Sequence, residues 1–386
     1  MTAPLIRAPQ DAADWRSYED LASRCFNEPE IDTRPIRDHC VARVADTSIG
    51  IVAGAMALRC DAYFGGAAIP AAGVACVAVA PEARRRGTAA RLITEIVDEL
   101  RNEGRAIALL WTPAAGVYRR WGWEVAGLGR RWILPLAAFA DMPRPRQIER
   151  GIGPRGVEFQ DRQAEAWNGA LKRPSWWWSW KYPKNDPGRF LYHLLGADGH
   201  VVGLVGYEHR RNGAWGYDLL VTDMWAADPQ AAREVYGFLA GHGSQAHRVI
   251  FDQAAVPSPP PFLWELPHHH ASEDAWYPWM IRLLDVPAAL AQRSWPTPLA
   301  GTLEFTVEHA EAPPTVITVQ VDGGKAQTEP GGAGTICIPE TALAAWYCGA
   351  LSLTQLRQTL PGVAPSTLEL MIALTSGAGP WLPDVF

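Results

Sequence analysis

The sequence predicts a mixed α/β protein, and three observations carry that prediction. Strand-like apolar segments alternate with amphipathic helices over the first ~150 residues, which is typical of a sheet covered by helices. A weaker copy of the same order recurs between residues 190 and 255, which indicates an internal duplication. After residue 285 the composition changes to short strands followed by helices, which predicts a small α+β domain.

The first copy has the clearest elements. A helix is predicted over Ala12–Phe26, and strands follow it in "VARVAD", "SIGIVAGAMAL" and "AGVACVAVA". The next helix has a stripe of apolar residues with the 3.6-residue period, and "AIALLWT" after it has the pattern of a buried strand. The stripe consists of Ala89, Leu92, Ile93, Ile96, Val97 and Leu100.

The second copy begins its helix differently from the first. "AWGYDLLVTDMWA" is predicted to be a strand, and "DPQAAREVYGFLAGHG" is predicted to be the helix after it. Asp228 and Pro229 stand at the usual N-cap and first helical positions of that helix. The first copy has three arginines and a glycine there instead, so the two copies are not equivalent. We expect three domains, at residues 1–150, 151–285 and 286–386.

The composition excludes several classes of protein. Of the 386 residues, 48% are hydrophobic and 20% charged, which is ordinary globular composition, and the net charge of −6 argues against a nucleic-acid binder. Six cysteines without C-x-x-C spacing, and no signal-like or membrane-spanning apolar segment, predict a soluble cytoplasmic protein. After residue 150, acidic residues outnumber basic ones by 23 to 15, which would suit a cationic substrate.

The segment "VAVAPEARRRGTAARL" places Arg84, Arg85 and Arg86 near a helix N-terminus, where the helix dipole normally disfavours cations. Free backbone N–H groups, a glycine that allows close approach and nearby guanidinium groups together form an anion site. The spacing fits neither a Walker A loop nor the Rossmann fingerprint. It fits Arg84-x-x-Gly87-x-Ala89 after a strand, as in the pyrophosphate loop of the GNAT acetyltransferase superfamily. The alternative is a solvated basic turn.

Four motifs extend the comparison beyond the superfamily: "VAVAPEARRRG", "GVYRRWGW", "RLLDVPAAL" and the terminal "PWLPDVF", in that order. With them the chain resembles the Eis-type (enhanced intracellular survival) acetyltransferases over essentially its whole length. The resemblance implies two tandem GNAT domains, of which the second is degenerate and has no cofactor site, and a sterol-carrier-protein-like α+β domain at the C-terminus. It also implies a homo-oligomer, since relatives assemble as hexamers.

The resemblance implies acetyl-CoA as the acetyl donor and no metal. The backbones of Val77 and Val79 would pair with the pantetheine arm of acetyl-CoA. A further set would hold its pyrophosphate: Arg84, Arg85, Gly87, Thr88 and Ala89. The run His268–His270 has no acid or cysteine at metal-ligand spacing, so we expect it to be a solvated loop.

The resemblance also assigns the catalytic and substrate-binding residues. Tyr118 would be the general acid that protonates the departing thiolate; the alternative is a core tyrosine before a turn. The terminal carboxylate of Phe386 would be the general base; the alternative is a frayed, solvated terminus. Phe26, Glu28 and Cys76 fall where relatives line the amine pocket.

These expectations favour an acetyl-CoA-dependent N-acetyltransferase that acts on primary amines of a cationic, aminoglycoside-like small molecule. A second hypothesis keeps the chemistry and changes the acceptor to a protein lysine or a natural-product amine. A third hypothesis is a binding protein that senses acyl-CoA and holds a lipid in its last domain without catalysis. Intact catalytic positions would argue against the third hypothesis.

Overall fold

A computed structural model describes residues 4–28, 30–183, 186–213, 215–266, 270–310, 312–377 and 379–386. In these residues the chain forms 17 β-strands and 11 α-helices. The strands are Leu5–Arg7 (β1), Cys40–Thr47 (β2), Gly50–Phe64 (β3), Ala67–Val79 (β4), Ile107–Trp111 (β5), Glu124–Pro135 (β6), Gln147–Arg150 (β7), Leu171–Lys172 (β8), Arg189–Leu195 (β9), Val201–Arg211 (β10), Tyr217–Ala226 (β11), Ala246–Phe251 (β12), Ser272–Leu283 (β13), Gly301–Glu308 (β14), Thr315–Asp322 (β15), Lys325–Pro330 (β16) and Ile336–Pro339 (β17).

The helices are Ala12–Phe26 (α1), Thr88–Asn102 (α2), Ala115–Arg119 (α3), Pro154–Ala164 (α4), Ser175–Lys181 (α5), Pro229–Ala240 (α6), Phe262–Glu265 (α7), Val286–Gln292 (α8), Glu340–Tyr347 (α9), Leu353–Thr359 (α10) and Pro365–Thr375 (α11). These elements group into two compact units. The first unit comprises Met1–Ala126, Trp279–Gly379 and Val385–Phe386, and the second comprises Gly127–Pro278 and Pro380–Asp384.

The first unit contains two sheets. Its larger sheet has the strand order β1-β2-β3-β4-β5-β13. Within this unit, β13 contributes the residues Trp279–Leu283, which pair with β5. Strand β3 is antiparallel to β2 and to β4, whereas β4 and β5 are parallel and are connected through α2. The smaller sheet has the order β16-β15-β14-β17, in which only β14 and β17 are parallel among the described strands.

Helices α1 and α2 form where the sequence predicts them. The side chain of Asp11 caps α1 by accepting hydrogen bonds from the backbone N–H groups of Ala13 and Asp14. Helix α2 packs on β2, β3 and β4 and buries its predicted stripe, except that Ala89 is only half-buried. Each fully buried leucine or isoleucine of the stripe contributes about 1.5–3 kcal/mol relative to an exposed one.

The C-terminal part of the first unit confirms the predicted arrangement of short strands with helices over them. Helix α9 packs on β14 and β17, and α11 packs on α9 and α10. The side chains of Trp346, Tyr347 and Met371 are buried there. Ser352 and Gln355 form a capping box at the start of α10.

The second unit repeats the strand connections of the first. Its strand order is β6-β12-β11-β10-β9-β7, with β10 antiparallel to β11, and with β11 parallel to β12 and connected to it through α6. This matches β3, β4, α2 and β5, so the predicted duplication is confirmed. Helix α6 begins at Pro229, and the side chain of Asp228 accepts a hydrogen bond from the backbone N–H of Ala231 at 2.8 Å. No arginine loop precedes this helix.

The two units group the chain differently from the three domains predicted at 1–150, 151–285 and 286–386, whose boundaries remain predictions. Among the described residues, no helix combines the length and the apolar character that crossing a membrane requires.

Candidate active site

Strand β4 leaves its neighbour β5 halfway along its length. It pairs with β5 up to Val74 and continues beyond that pairing to Val79. Against β3, residues 54–56 face residues 75–78, so β4 contains one extra residue at Cys76–Val77. Such a β-bulge bends a strand and interrupts its ladder, and it is common beside active sites. The bulge coincides with the point at which β4 separates from β5.

Cys76 carries the strain of the bulge. Its φ of +50° lies in the left-handed region, which costs about 1–3 kcal/mol for a residue other than glycine. Its carbonyl accepts a 2.7 Å hydrogen bond from the hydroxyl of Tyr18 on α1, which fixes the bulge. Burial raises the pKa of the Cys76 thiol to about 11, so the thiol is protonated at neutral pH.

The arginine loop connects the end of β4 to α2. A short 3₁₀ turn over Pro81–Ala83 precedes it, and the Arg84 guanidinium donates from Nε to the carbonyl of Val79 at 3.1 Å. Arg85 has a φ of +59°, and its side chain and those of its two arginine neighbours are exposed. The loop therefore holds three cations at the surface beside the end of β4.

Gly87 ends the loop and is the N-cap of α2. Its φ of +76° is unfavourable for any residue with a Cβ, and a Cβ added there would meet no atom of the chain within 4 Å. No side chain makes a capping hydrogen bond at Gly87. The first turn of α2 begins with Thr88 and Ala89 and contains no acidic residue. Among the described residues no side chain caps the start of α2, and Gly87 is open beside the three exposed arginines, so this helix start fits a phosphate group.

We expect Gly87→Ala to raise the KM for acetyl-CoA about ten-fold, which corresponds to the loss of one charged hydrogen bond. Gly104 at the other end of α2 is a matched control, since it has a φ of +74° and is equally open. Either alanine should lower the free energy of unfolding by about 1–2 kcal/mol because of the left-handed backbone. Steady-state kinetics and chemical denaturation of both variants check this. An equal change in KM in both would contradict an anion site at Gly87.

Tyr118 is held between two tryptophans. It lies in α3, and its ring makes edge-on contacts with Trp121 and Trp123 at centroid distances of 5.5 and 6.0 Å. Its carbonyl accepts hydrogen bonds from the N–H groups of the same two residues. Burial raises the pKa of Tyr118 to about 12, so the phenol keeps its proton at neutral pH.

Phe386, the last residue, packs on the backbone of β4. A Cβ added at Gly73 would lie 2.2 Å from Cδ1 and from Cε1 of the Phe386 ring, so only glycine leaves room for that ring. Gly73 lies three residues before Cys76 on the same strand. The half-buried Phe386 is therefore fixed close to the bulge of β4.

Phe26 and Glu28 lie at the end of α1. The Phe26 side chain is 47% exposed, and Glu28 lines an open groove of about 940 Å³ to which Phe26 does not contribute. The groove is lined by Arg16, Glu19, Asp20, Ser23, Arg24, Asn27, Glu28, Glu30 and Ile31. Among the described residues, neither Phe26 nor Glu28 makes a hydrogen bond or ring contact with Tyr118.

All twelve residues predicted for the site lie in the first unit. Burial raises the pKa of Tyr18 well above its usual value, and the charges that Cys76 and Tyr118 would carry on ionising raise it further, so these three groups lie within electrostatic range of one another. Over the described ranges, no cluster of three or more His, Cys, Asp or Glu side chains is placed to hold a metal ion. His268 and His269 of the predicted solvated loop lie outside the described residues.

Two residues of the site were not predicted from the sequence, namely Tyr18 and Gly73. Nothing in the helical pattern of α1 distinguishes Tyr18 from an ordinary core residue. Gly73 had a usable signal, because a lone glycine inside an apolar strand often marks the close approach of another group to the backbone.

Comparisons with protein families match three segments of the chain. An Acetyltransferase (GNAT) domain family matches residues 6–126, and a second Acetyltransferase (GNAT) domain family matches residues 169–283. A Sterol carrier protein domain family matches residues 286–383. An uncharacterized N-acetyltransferase of Streptomyces avermitilis is 26% identical over 98% of this chain and 97% of its own length.

Solved structures have the same fold over the whole chain. A GCN5-related N-acetyltransferase from Anabaena variabilis superposes with a TM-score of 0.87, at 23% identity, and covers 99% of this chain and 100% of that one. Eis1 from Mycobacterium abscessus superposes with a TM-score of 0.77, at 21% identity, with the same coverage of 99% and 100%. The chain is a GNAT-family N-acetyltransferase with the Eis-type arrangement of two GNAT domains followed by a sterol carrier protein domain.

Proposed function

We propose that the protein transfers the acetyl group of acetyl-CoA directly to a primary amine of a cationic, aminoglycoside-like small molecule. Tyr118 is the general acid, and the terminal carboxylate of Phe386 is the general base. One observation carries the proposal. The last residue of the chain packs on Gly73 of β4, three residues from the bulge, whereas an ordinary terminus is frayed and solvated.

The donor site follows from the course of β4. In this proposal the backbones of Val77 and Val79 pair with the pantetheine arm, which the separation of β4 from β5 after Val74 supports, and a backbone N–H at the bulge is a candidate to hold the thioester oxygen. The open helix start of α2 supports the placement of the pyrophosphate. The residues proposed to hold it are Arg84, Arg85, Gly87, Thr88 and Ala89.

Amide formation requires the nitrogen to lose two protons and the sulfur to gain one. An alkyl ammonium with a pKa of about 10.4 must lose a proton before its nitrogen can attack, and the terminal carboxylate of Phe386 accepts that proton directly or through water. The C–N bond forms, the C–S bond of the tetrahedral intermediate breaks as Tyr118 donates its proton to the departing sulfur, and the second proton of the nitrogen passes to the Tyr118 phenolate, which leaves a neutral amide and a free thiol. The raised pKa of Tyr118 keeps its phenolic proton available at neutral pH.

Direct transfer is favoured over a covalent acyl-cysteine. Cys76 lies in the bulge of β4, and its pKa of about 11 leaves little thiolate at neutral pH. We assign it to shaping the pocket. On the acceptor side, the groove that contains Glu28 supplies the negative charge that a polycation requires, and the exposed ring of Phe26 stands next in sequence to Asn27, which lines that groove. We also propose that the enzyme is a cytoplasmic homo-oligomer, as the resemblance implies.

We expect Tyr118→Phe to lower kcat by about 10²-fold or more, because a positioned acid contributes about 10²–10⁴-fold, and to leave the KM for acetyl-CoA nearly unchanged. The measurement is release of free thiol from acetyl-CoA with a panel of aminoglycosides, lysine peptides and small diamines. Tyr236→Phe is the matched control, since Tyr236 is buried in the second unit and its hydroxyl has no hydrogen-bond partner within the part of the chain that the structure describes.

Each result of this assay separates two hypotheses. Full turnover by Tyr118→Phe would remove the assigned acid. Thiol release with lysine peptides and not with aminoglycosides would make a protein lysine the acceptor. Binding of acetyl-CoA without thiol release for any amine would indicate a binding protein.

A further inference from the structure

The second unit contains a divergence of strands that matches the one in the candidate active site. Strand β11 pairs with β12 up to Val221 and continues to Ala226 beyond that pairing. Against β10, it has one extra residue, Thr222, which corresponds in position to the bulge of β4. The degenerate copy has therefore kept the opening between its two parallel strands, although it lacks the arginine loop that would serve a phosphate.

The C-terminal segment of the chain occupies this opening. The ring of Trp381 lies 4.7 Å from that of Trp225 on β11, and its Nε1–H donates to the carbonyl of Ala254, just past β12, at 2.8 Å. Its backbone N–H donates to the carbonyl of Asn168 at 2.9 Å. The segment from Trp381 to Asp384 is buried throughout.

A buried ion cluster binds the end of this segment. Arg173 donates from Nε to Asp384 at 2.9 Å and from a terminal nitrogen to Asp223 at 2.6 Å, and none of these three side chains has any solvent exposure. Lys181 lies 3.4 Å from Asp223 and 3.8 Å from Asp384, so two positive charges balance two negative ones. The Arg173 guanidinium is also stacked 4.8 Å over the ring of Trp178.

Stability alone does not explain such a cluster. Desolvation of buried charges is so unfavourable that well-packed apolar residues would be equally stable or better, and fixing a particular register is the best-attested use of buried ion pairs. The ion cluster fixes the register of Asp384. Only Val385 and Phe386 follow Asp384, and the terminal carboxylate belongs to Phe386. Two extended residues span at most about 7 Å, so holding Asp384 restricts the position of that carboxylate.

We propose that the degenerate GNAT copy is the docking cleft for the chain's own C-terminal segment, Pro380–Asp384. In this proposal Arg173 and Asp384 are positioning residues, which act through the Phe386 carboxylate and do not touch the substrate. The assignment rests on the proposed function of that carboxylate as the general base. The opening that holds a pantetheine arm in the first copy holds the protein's own chain in the second.

The test measures docking and catalysis separately in the full-length protein. Docking is the rate at which a carboxypeptidase releases phenylalanine from the native protein, and catalysis is the kcat for thiol release. We expect Asp384→Asn to speed release at least about ten-fold, which is the effect of losing one charged hydrogen bond. We also expect it to lower kcat about ten-fold or more without raising the KM for acetyl-CoA, because small misplacements of a catalytic group strongly reduce the rate.

Two further variants keep the test decisive. Trp381→Phe removes the hydrogen bond to Ala254 and keeps an aromatic ring, so it should also speed release even if Asp384→Asn folds poorly. Asp218→Asn is the matched control, because Asp218 is likewise buried and paired with an arginine, Arg248, in the same unit. It should change neither phenylalanine release nor kcat.

The outcomes are distinguishable. Unchanged release in both Asp384→Asn and Trp381→Phe would overturn the docking cleft. Faster release with unchanged kcat would overturn the positioning role, provided that deletion of Phe386 lowers kcat. If deletion of Phe386 also leaves kcat unchanged, the proposed general base is wrong, and the positioning role falls with it.

Discussion

Deletion of Phe386 is expected to lower kcat by about 10²-fold or more and to leave the KM for acetyl-CoA nearly unchanged. The shortened chain still ends in a carboxylate, now on Val385, but that group is displaced by about 3.3–3.6 Å along the chain. A displacement of 1 Å is enough to reduce a rate by about 10²-fold, so the remaining carboxylate does not substitute for the original one. Thiol release under saturating acetyl-CoA measures the effect.

Three matched variants separate the carboxylate from the ring. Phe386→Ala keeps the carboxylate at the same position in the chain and should retain more activity than the deletion. Gly73→Ala should lower kcat because its methyl group would overlap the Phe386 ring. Gly301→Ala is its control, since its methyl group would meet a side chain, Leu370, at 2.6 Å in the sterol carrier part. Equal activity of the deletion and Phe386→Ala would contradict a positioned terminal base.

Replacement of Arg173 by methionine is expected to lower the free energy of unfolding by about 3–5 kcal/mol, because Lys181 alone is then left to balance the two buried carboxylates of Asp223 and Asp384. Arg155→Met is the control in the same unit: its pair with Glu149 is exposed, and such pairs contribute about 0–1 kcal/mol. Chemical denaturation compares the two variants. An equal free energy of unfolding for Arg173→Met and Arg155→Met would contradict the claim that the buried carboxylates depend on Arg173.

The same cluster predicts a dependence on pH. Burial opposes ionisation of Asp223, but Arg173 and Lys181 outweigh it and lower its pKa to about 2. A carboxyl group whose pKa is lower in the folded protein contributes stability that is complete above the unfolded pKa of about 3.9. That contribution is lost as the pH falls from about 4 to 2. Arg173→Met should therefore lose less stability than the wild type over this range.

The helices and the duplication could be predicted because their causes are local. The apolar stripe of α2 and the Asp228–Pro229 start of α6 are readable from neighbouring residues, and both form as expected. The arginine loop was also recognisable, since strand, glycine and helix follow one another along the chain. The difference between the two copies is also local, because it can be seen by comparing the residues at the start of α2 with those at the start of α6.

The remaining parts of the site depend on contacts that no local pattern encodes. Arg173 and Asp384 are 211 residues apart, and no residue near Arg173 in the sequence indicates that Asp384 is its partner. The bulge of β4 falls on Cys76 without the glycine that usually marks a left-handed residue. Burial of the C-terminal segment likewise becomes visible only when β11 and β12 are seen to diverge.

The measurement that most directly tests the central claim compares two acetyl donors. S-acetylpantetheine has the thioester and the pantetheine arm of acetyl-CoA but lacks the pyrophosphate. In the Arg84→Ala/Arg85→Ala double variant, we predict that kcat/KM falls at least about ten-fold for acetyl-CoA and stays nearly unchanged for S-acetylpantetheine, since only the former has a charge for these side chains to bind. An equal loss for both donors, or no loss for either, would contradict a pyrophosphate bound at the start of α2.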